Sequence, residues 1–242
     1  MDPIISIIIP TLNEEKILEK TLKSLREFRG SYEIIVSDGK STDKTLSIAR
    51  QYADQIVEYK DEPIQTISMG RNLGAKVAKS KYLVFVDADV TIPDINNFFA
   101  KAVDLFEKNN KLVGLTAFVK VFPEMCTFGD RLFFGVVNMG SYFFNNILNS
   151  GSALGEFQMI RSDTFRKLGG YNEKIVVGED IEMFSRLSRI GKVHTEPSIY
   201  ILHTSRRAHN IGWSSLFFFS IKNAIHLRLY KRSSVLEWEP IR

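Results

Sequence analysis

Tyr82-Leu83-Val84-Phe85-Val86-Asp87-Ala88-Asp89 is the most informative segment of this chain. Its apolar run predicts a buried strand, and two carboxylates separated by one residue follow that strand directly. Carboxylates at the carboxyl end of a buried strand are costly unless a positive charge lies beside them, which favours a divalent cation there. The alternative is a strand that leaves the core into a solvated acidic turn. A single Asp-x-Asp does not choose between these two interpretations.

Short apolar segments alternate with amphipathic helical patterns over the first 90 residues. Strands are predicted at 4–9, 33–37, 55–59 and 81–86. Helices are predicted at 17–25, from about 44, and at 71–78. Such alternation is typical of βαβ units and a mostly parallel sheet flanked by helices. A polar loop follows each strand, and these loops meet at one edge of a parallel sheet, so a polar crevice is expected there.

After Pro93 the pattern is less regular. A helix is predicted at 95–108, a strand at 112–122 and an aromatic-rich segment at 132–148. Further on, a strand is expected to end near 160, a helix to cover 161–168, another to begin at 178, and a last strand to cover 193–202. No internal repeat or linker divides the chain, so we expect a single α/β domain.

Composition indicates a folded globular protein. Of 242 residues, 44% are hydrophobic and 25% are charged, which argues against disorder. The single Cys126 excludes an intrachain disulfide and a multi-cysteine zinc site. No basic region precedes the first apolar run, and no apolar stretch approaches the roughly 18 residues that span a bilayer. A cytoplasmic location is therefore expected.

The net charge of +4 is distributed unevenly along the chain. From Ile201 to the end there are seven Lys/Arg and two Asp/Glu, and this region is rich in aromatic residues. Such a segment suggests an anionic partner, and no recognised nucleic-acid-binding module accompanies it. Leu216 to Tyr230 is a candidate basic amphipathic helix. It either lies on an anionic membrane, at the inner face of the cell membrane, or packs on the domain or a second subunit.

Four further segments extend the pattern of the acidic pair. They are Ile7-Ile8-Ile9-Pro10-Thr11-Leu12-Asn13-Glu14-Glu15, Val36-Ser37-Asp38-Gly39-Lys40-Ser41-Thr42-Asp43, Gly70-Arg71-Asn72 and Gly178-Glu179-Asp180. In this order, with Asp87-Ala88-Asp89, they resemble family 2 glycosyltransferases, and the resemblance covers roughly residues 4 to 210. It implies a Rossmann-like GT-A fold, a UDP- or GDP-sugar donor, Mn²⁺ or Mg²⁺, and inversion at the anomeric carbon. It also implies a nucleotide-sugar-binding half (1–90), an acceptor half (91–212) and a basic C-terminal segment (213–242).

The resemblance assigns the acidic pair to the cation. Asp89 is the expected ligand, because a cation shared between a carboxylate and the phosphates stabilises the leaving diphosphate. Asp87 is a second candidate ligand, or it binds the ribose or a metal-bound water. His203, 23 residues after Asp180, resembles the late histidine that many sugar transferases use as a further metal ligand. A lone histidine is also commonly structural.

The other donor-side candidates follow the early strands or carry positive charge. They are Pro10, Thr11, Asn13, Glu14, Asp38, Arg71, Ala88 and Arg206. Residues after the first strand could hold base and ribose, or could simply cap the next helix. Asp38 could accept a base N–H or begin a tight turn. Arg71 could counter the diphosphate charge or be a surface arginine. Arg206 could bind the leaving diphosphate or a phosphate on a lipid acceptor.

Asp180 is the expected general base, with Glu179 beside it to orient or replace it. Both are also acids at a helix start, which the helix dipole favours by itself. Gly155-Glu156 is a candidate acceptor-side carboxylate. The acceptor is expected to be a glycan, a polyprenyl phosphate or a small molecule. Two other functions remain open: a sugar-phosphate nucleotidyltransferase, which the acidic loop at 11–15 disfavours, and a non-catalytic nucleotide-sugar-binding module.

Overall fold

Strands and helices alternate along the chain as the sequence pattern predicts. The computed structural model describes residues 2–62 and 65–213, together with residues 215, 218, 219, 222, 223 and 226. The strands are β1 (Ile5–Thr11), β2 (Tyr32–Asp38), β3 (Gln55–Glu58), β4 (Tyr82–Val86), β5 (Leu112–Val121), β6 (Phe157–Arg161) and β7 (Lys192–His203). The α-helices are α1 (Leu18–Leu25), α2 (Thr45–Tyr52), α3 (Ile67–Val77), α4 (Ile95–Lys108), α5 (Phe128–Tyr142), α6 (Ser162–Lys167), α7 (Glu179–Leu187) and α8 (Arg206–Ile211). A 3₁₀ turn (Pro123–Met125) precedes α5, and a π-helical segment (Phe143–Ile147) continues it.

The strands form one sheet in the order β3-β2-β1-β4-β6-β5-β7. Within the described residues, β6 alone runs antiparallel to its neighbours, so the prediction of a mostly parallel sheet is confirmed. The chain leaves β1 toward β2 on one side and later enters β4 on the other side of β1. Ligands of open α/β sheets bind outside the carboxyl ends of the strands at such a reversal.

Successive residues of the central strands face opposite helical layers. Ile7 and Val84 belong to a core built with α1, α2 and α4. Ile8 and Phe85 face the other way, into a core built with α3, α6 and α7. Strands that are buried on both faces have continuous apolar sequences. For this reason the sequence predicts both β1 and β4.

Several elements differ from the predicted ones, mostly by one or two residues at their ends. α3 begins at Ile67 rather than Arg71, because the Thr66 side chain caps it by accepting the Met69 N–H at 3.2 Å. The aromatic-rich segment is helical, as α5 and its π-helical continuation. β7 ends at His203, so this histidine closes the strand rather than following it. Most of the basic helix predicted at 216–230 lies outside the described residues.

Candidate active site

Thr11 and Asp38 end β1 and β2 at the carboxyl edge of the sheet. Both are buried, and the Thr11 hydroxyl donates to Asp38 Oδ1 at 3.0 Å. Asp38 also accepts the Ser41 N–H at 2.8 Å and the Ser41 hydroxyl at 2.6 Å. Asp38 thus anchors the turn after β2, as the turn interpretation predicts. A contact between Asp38 and a nucleotide base stays a prediction.

Asn13 and Glu14 connect the loop after β1 to the loop after β2. The Asn13 N–H donates to the Ser41 hydroxyl at 2.8 Å, and its side-chain oxygen accepts the Thr42 N–H at 2.7 Å. The Glu14 N–H donates to the Thr45 hydroxyl at 2.7 Å. Asn13 has a φ of 54°, in the left-handed region that asparagine tolerates better than most residues. The two loops therefore form one hydrogen-bonded wall of the crevice.

Arg206 links this wall to the end of β4. Its Nη1 lies 3.2 Å from Glu14 Oε2 and its Nε lies 3.4 Å from Asp89 Oδ2. Thr91 and Leu202 exchange two backbone hydrogen bonds of 2.8 Å, which hold the segment after β4 against β7. Arg206 is partly exposed and borders both halves of the crevice.

Arg71 is fully buried and joins three parts of the site. Its Nη1 donates to Glu179 Oε1 at 2.7 Å, and its Nη2 donates to Asp87 Oδ1 at 3.1 Å and to the Gly155 carbonyl at 2.8 Å. Burial works against its charge, but Tyr171, Glu179 and Asp87 raise the pKa of Arg71 further above its usual value. The sequence suggested a surface arginine or a contact with the diphosphate. The surface interpretation is wrong, because the guanidinium is enclosed and bonded to carboxylates of the chain. A contact between Arg71 and the diphosphate stays a prediction.

Glu179 and Asp180 begin α7, after Gly178 with a φ of 82°. Glu179 is buried against Arg71, whereas Asp180 is partly buried and accepts its neighbour's N–H. Burial, with Glu179 beside it, raises the pKa of Asp180 well above its usual value. A Cβ added at Gly155 would lie 3.7 Å from Asp87 Oδ2 and 3.8 Å from Asp180 Oδ2. The two carboxylates therefore border one space, which the missing side chain leaves free.

Glu156 faces Asp87 one residue beyond the Val86–Phe157 pair that ends the β4–β6 ladder. The Asp87 N–H donates to the Glu156 carbonyl at 3.4 Å. Burial raises the pKa of Asp87 to about 7 and that of Glu156 to about 7, and repulsion from Asp89 contributes to both shifts. Three carboxylates thus crowd the carboxyl end of β4.

His203 and Thr204 approach the same carboxylates from the end of β7. His203 Nδ1 lies 3.9 Å from Glu156 Oε1, and the Thr204 hydroxyl donates to Asp89 Oδ2. Burial lowers the pKa of His203 to about 4, so its imidazole is neutral near pH 7. Its Nε2 is buried and has no hydrogen-bond partner among the described residues.

These side chains fit a hard or borderline divalent cation. Carboxylate oxygens are the ligands expected for Mg²⁺ and Mn²⁺, and a neutral imidazole suits a transition-metal ion better than Mg²⁺. Crowded carboxylates also gain from a neighbouring positive charge. Within the described part of the chain, no group of three or more His, Cys, Asp or Glu side chains is arranged to hold a metal ion by itself. Mg²⁺ is commonly bound by one or two carboxylates together with substrate phosphates.

Pro10 and Ala88 contribute through their positions in the backbone. Pro10 pairs in register with Ser37 next to the end of β1. Ala88 is buried, and its carbonyl accepts the Thr21 hydroxyl at 2.6 Å, which ties the acidic pair to α1. Sequence reasoning missed both Thr21 and Thr204. Neither belongs to a motif or an acidic cluster, so only their contacts reveal their roles.

Among the described residues, Trp213 and Asn223 of the C-terminal segment contact the domain. The Trp213 ring lies 4.6 Å from the Phe133 ring in α5. Asn223 is buried and donates to the Val177 carbonyl at 3.0 Å. These contacts agree with the packing interpretation at those two positions. Over the part of the chain that the structure describes, no helix is both long enough and apolar enough to cross a bilayer.

A carboxylate-lined crevice at the strand-order reversal of a mostly parallel sheet is the place where open α/β proteins bind their ligands. Residues 6–169 match the family model described as glycosyl transferase family 2. The chain belongs to glycosyl transferase family 2, and the resemblance seen in the sequence is confirmed.

One curated relative is the succinoglycan biosynthesis protein ExoA of Rhizobium meliloti, 31% identical over 199 residues. The alignment covers 76% of this chain but only 58% of that protein. Among solved structures, a mannosyltransferase from Pyrobaculum calidifontis in complex with GDP-Man and Mn²⁺ has a TM-score of 0.68 at 19% identity, covering 89% of this chain and 60% of that one. S. aureus TarS 1–349 in complex with UDP-GlcNAc has a TM-score of 0.64 at 19% identity, covering 97% and 68%. Both structural likenesses show the GT-A fold.

Proposed function

We propose that this chain transfers a sugar from a UDP- or GDP-sugar to a hydroxyl or phosphate acceptor, with a divalent cation and with inversion at the anomeric carbon. The observation that carries the proposal is the convergence of Asp87, Asp89, Glu156 and Asp180 at the carboxyl end of β4, next to the strand-order reversal. So many carboxylates in one partly buried place are costly without a cationic ligand. Family membership and structural neighbours solved with GDP-Man and UDP-GlcNAc support the donor class.

Asp89 is proposed to hold the cation, with Asp87 and His203 as further candidate ligands. Mn²⁺ or Mg²⁺, when bound, acts as a Lewis acid for the charge that grows on the leaving diphosphate. Arg206 lies 3.4 Å from Asp89 and is partly exposed, so it can bind a diphosphate oxygen at the same place. The wall formed by the loops after β1 and β2 is proposed to bind base and ribose.

Asp180 is proposed to act as the general base. The acceptor O–H gives its proton to the Asp180 carboxylate while its oxygen bonds to the anomeric carbon. The bond from that carbon to the diphosphate oxygen breaks on the opposite face, which inverts the configuration. The free space between Asp180 and Asp87 at Gly155 is where we propose that the sugar lies.

Arg71 is a positioning residue in this scheme. It bonds Glu179, next to the base, and Asp87, next to the cation site, at 2.7 and 3.1 Å. One buried guanidinium thus fixes the acceptor side relative to the donor side. Such a fork suits arginine better than lysine, since two nitrogens donate in fixed directions.

The acceptor is proposed to be a glycan or a polyprenyl phosphate presented at the inner face of the cell membrane, with a small molecule as the simpler case. The name of the relative from Rhizobium meliloti refers to polysaccharide biosynthesis and is the support for a glycan. A sugar-phosphate nucleotidyltransferase is disfavoured by the loop after β1. Glu14 and Glu15 lie there, where a nucleoside triphosphate would need basic groups.

The direct experiment is a panel of UDP- and GDP-sugars with Mn²⁺ or Mg²⁺, following nucleoside diphosphate release and transfer to acceptor. We expect one donor to be turned over and EDTA to stop the reaction. Asp180→Asn should keep donor binding and lose about 10²–10⁴-fold in transfer rate. Asp163→Asn, an exposed acid at the start of α6, is the matched control. Transfer by Asp180→Asn at the wild-type rate would show that the base is another group.

A further inference from the structure

Helix α5 and its π-helical continuation expose a continuous row of apolar side chains. Phe128, Leu132, Val136, Met139, Phe143 and Ile147 form this row, here called the apolar stripe. Their exposed fractions are 81, 60, 57, 59, 49 and 62%, respectively. Single exposed apolar residues are ordinary, but these six recur every three or four residues and so share one face of the helix. At 1.5 Å per residue the stripe is about 30 Å long.

The exposed side of this helix is almost uncharged. Between residues 128 and 148 the only charged side chains are Asp130 and Arg131. Asp130 is buried, where it caps the helix by accepting from Thr127 and lies 3.0 Å from His209 Nε2. Arg131 is exposed. A helix face of this length without acidic groups is unusual on a surface that meets only water.

The helix that carries the stripe packs beside the carboxylate cluster through its buried face. Phe134, nearly two turns into α5 on its buried face, has its ring 4.8 Å from the His203 imidazole. The neighbouring Phe133 contacts Trp213, where the basic C-terminal segment starts. Whatever the stripe contacts is therefore held close to the crevice.

Basic groups lie at both ends of the stripe. Arg131 is at the start, next to Leu132. At the other end, Ile147 lines a cleft of about 410 Å³ together with Lys192 and with Lys108, whose Nζ lies 2.8 Å from Asp104 Oδ2. Glu124, in the turn before α5, is the exposed acid near the first end. Along the sequence, five Lys/Arg and two Asp/Glu follow Trp213. Apolar surface flanked by cations complements an anionic lipid surface.

We propose that the apolar stripe inserts into the interface of an anionic phospholipid bilayer and holds the crevice at the membrane surface. The helix lies on the membrane rather than across it, since a row on one face suits the headgroup boundary. This inference rests in part on the proposed function, because it names the membrane face from which a lipid-linked acceptor would enter. A second copy of the chain is the competing occupant of the stripe.

The test is sedimentation of the full chain with vesicles of phosphatidylcholine alone and with about 30% phosphatidylglycerol. Wild type should bind the anionic vesicles more strongly. Leu132→Asp/Met139→Asp should weaken binding at least tenfold, since two charges then enter the apolar boundary. Ile190→Asp is the matched control, because Ile190 is 48% exposed but lies outside the stripe. Equal binding by the double variant, or no binding by wild type, would overturn the proposal.

A second measurement does not depend on the double variant folding. Val136→Cys in a Cys126→Ser background carries an environment-sensitive fluorophore, with Ile190→Cys as its control. Anionic vesicles should shift the emission at position 136 to the blue and leave position 190 unchanged. A wild-type dimer that Leu132→Asp dissociates, with no vesicle shift, would assign the stripe to a second copy and overturn the proposal. Both assays measure membrane binding and not catalysis. Sugar transfer to a water-soluble acceptor can therefore succeed or fail independently of their outcome.

Discussion

Asp87 and Glu156 lie opposite each other where the β4–β6 ladder ends, joined by a 3.4 Å hydrogen bond from the Asp87 N–H to the Glu156 carbonyl. Like charges directly opposite on neighbouring strands destabilise a sheet. The presence of both acids at this edge of the sheet therefore lowers the free energy of unfolding. A cation bound at that edge would relieve the repulsion.

Glu156→Gln should therefore stabilise the metal-free protein and weaken its response to Mn²⁺. We expect the free energy of unfolding in EDTA to rise by about 0.2–1 kcal/mol, because one member of a like-charged pair is neutralised. Added Mn²⁺ should stabilise the variant less than wild type, since ligand stabilisation follows affinity. Urea unfolding with EDTA and with Mn²⁺ measures both. Glu124→Gln, at an exposed acid away from β4, should change neither, and a destabilised Glu156→Gln would count against the repulsion.

Arg71→Met should destabilise the fold severely. It leaves Glu179 and Asp87 buried or partly buried without their cation, a loss of about 3–5 kcal/mol for a broken buried pair. Arg50→Met is the control, because Arg50 is 63% exposed and its Nη2 lies 3.7 Å from Glu58 Oε1. The control should cost less than about 1 kcal/mol. Chemical denaturation of both variants measures their loss of unfolding free energy. Equal small losses would rule out Arg71 as the cation that organises the site.

Gly155→Ala should weaken donor binding with little effect on folding. The added methyl group would lie 3.3 Å from Arg71 Nη2 and within 4 Å of Asp87 and Asp180, in the space proposed for the sugar. Gly135→Ala in α5 meets nothing within 4 Å and should stabilise the helix by up to about 1 kcal/mol. Titration calorimetry with the donor and Mn²⁺ compares the two. Unchanged affinity in Gly155→Ala would place the sugar elsewhere.

Asp130→Asn should lower the free energy of unfolding by an amount that depends on pH. Burial acts in the opposite direction, but the hydrogen bonds from Thr127 prevail and lower the pKa of Asp130. A carboxyl group with a lowered folded pKa stabilises fully above its unfolded value of about 3.9, and this contribution is lost as pH falls through the folded pKa. We expect a loss of about 1 kcal/mol at pH 7, as for other helix caps, that shrinks below about pH 4. Urea unfolding of wild type and Asp130→Asn at pH 7 and below about pH 4 tests this. A difference in the free energy of unfolding that persists at the lower pH would contradict it.

The strands and the acidic loops could be predicted because local sequence dictates them. β1 and β4 are continuous apolar runs, and Asp87 and Asp180 follow recognisable signals at a strand end and a helix start. The antiparallel direction of β6 could not be predicted, because a strand's residues do not encode the direction of its neighbour.

The sequence also could not show that Arg71 is buried among carboxylates of the chain. Its partners Glu179 and Gly155 are 108 and 84 residues away along the chain, so only the tertiary fold shows that the guanidinium is enclosed. The sequence located Asp38 and Asn13 after β2 and β1, and the turn at Asp38 is confirmed. Their hydrogen bonds join two loops, which a motif on either loop alone cannot reveal.

The most direct measurement is the affinity of UDP and GDP with and without Mn²⁺, for wild type and for Asp89→Asn, with the exposed Asp61→Asn as the control. The account predicts that Mn²⁺ tightens nucleotide binding to wild type and to Asp61→Asn by at least about tenfold, and that Asp89→Asn loses this gain. If Asp89→Asn binds nucleotide with the full Mn²⁺ enhancement, the cation is not held at the end of β4.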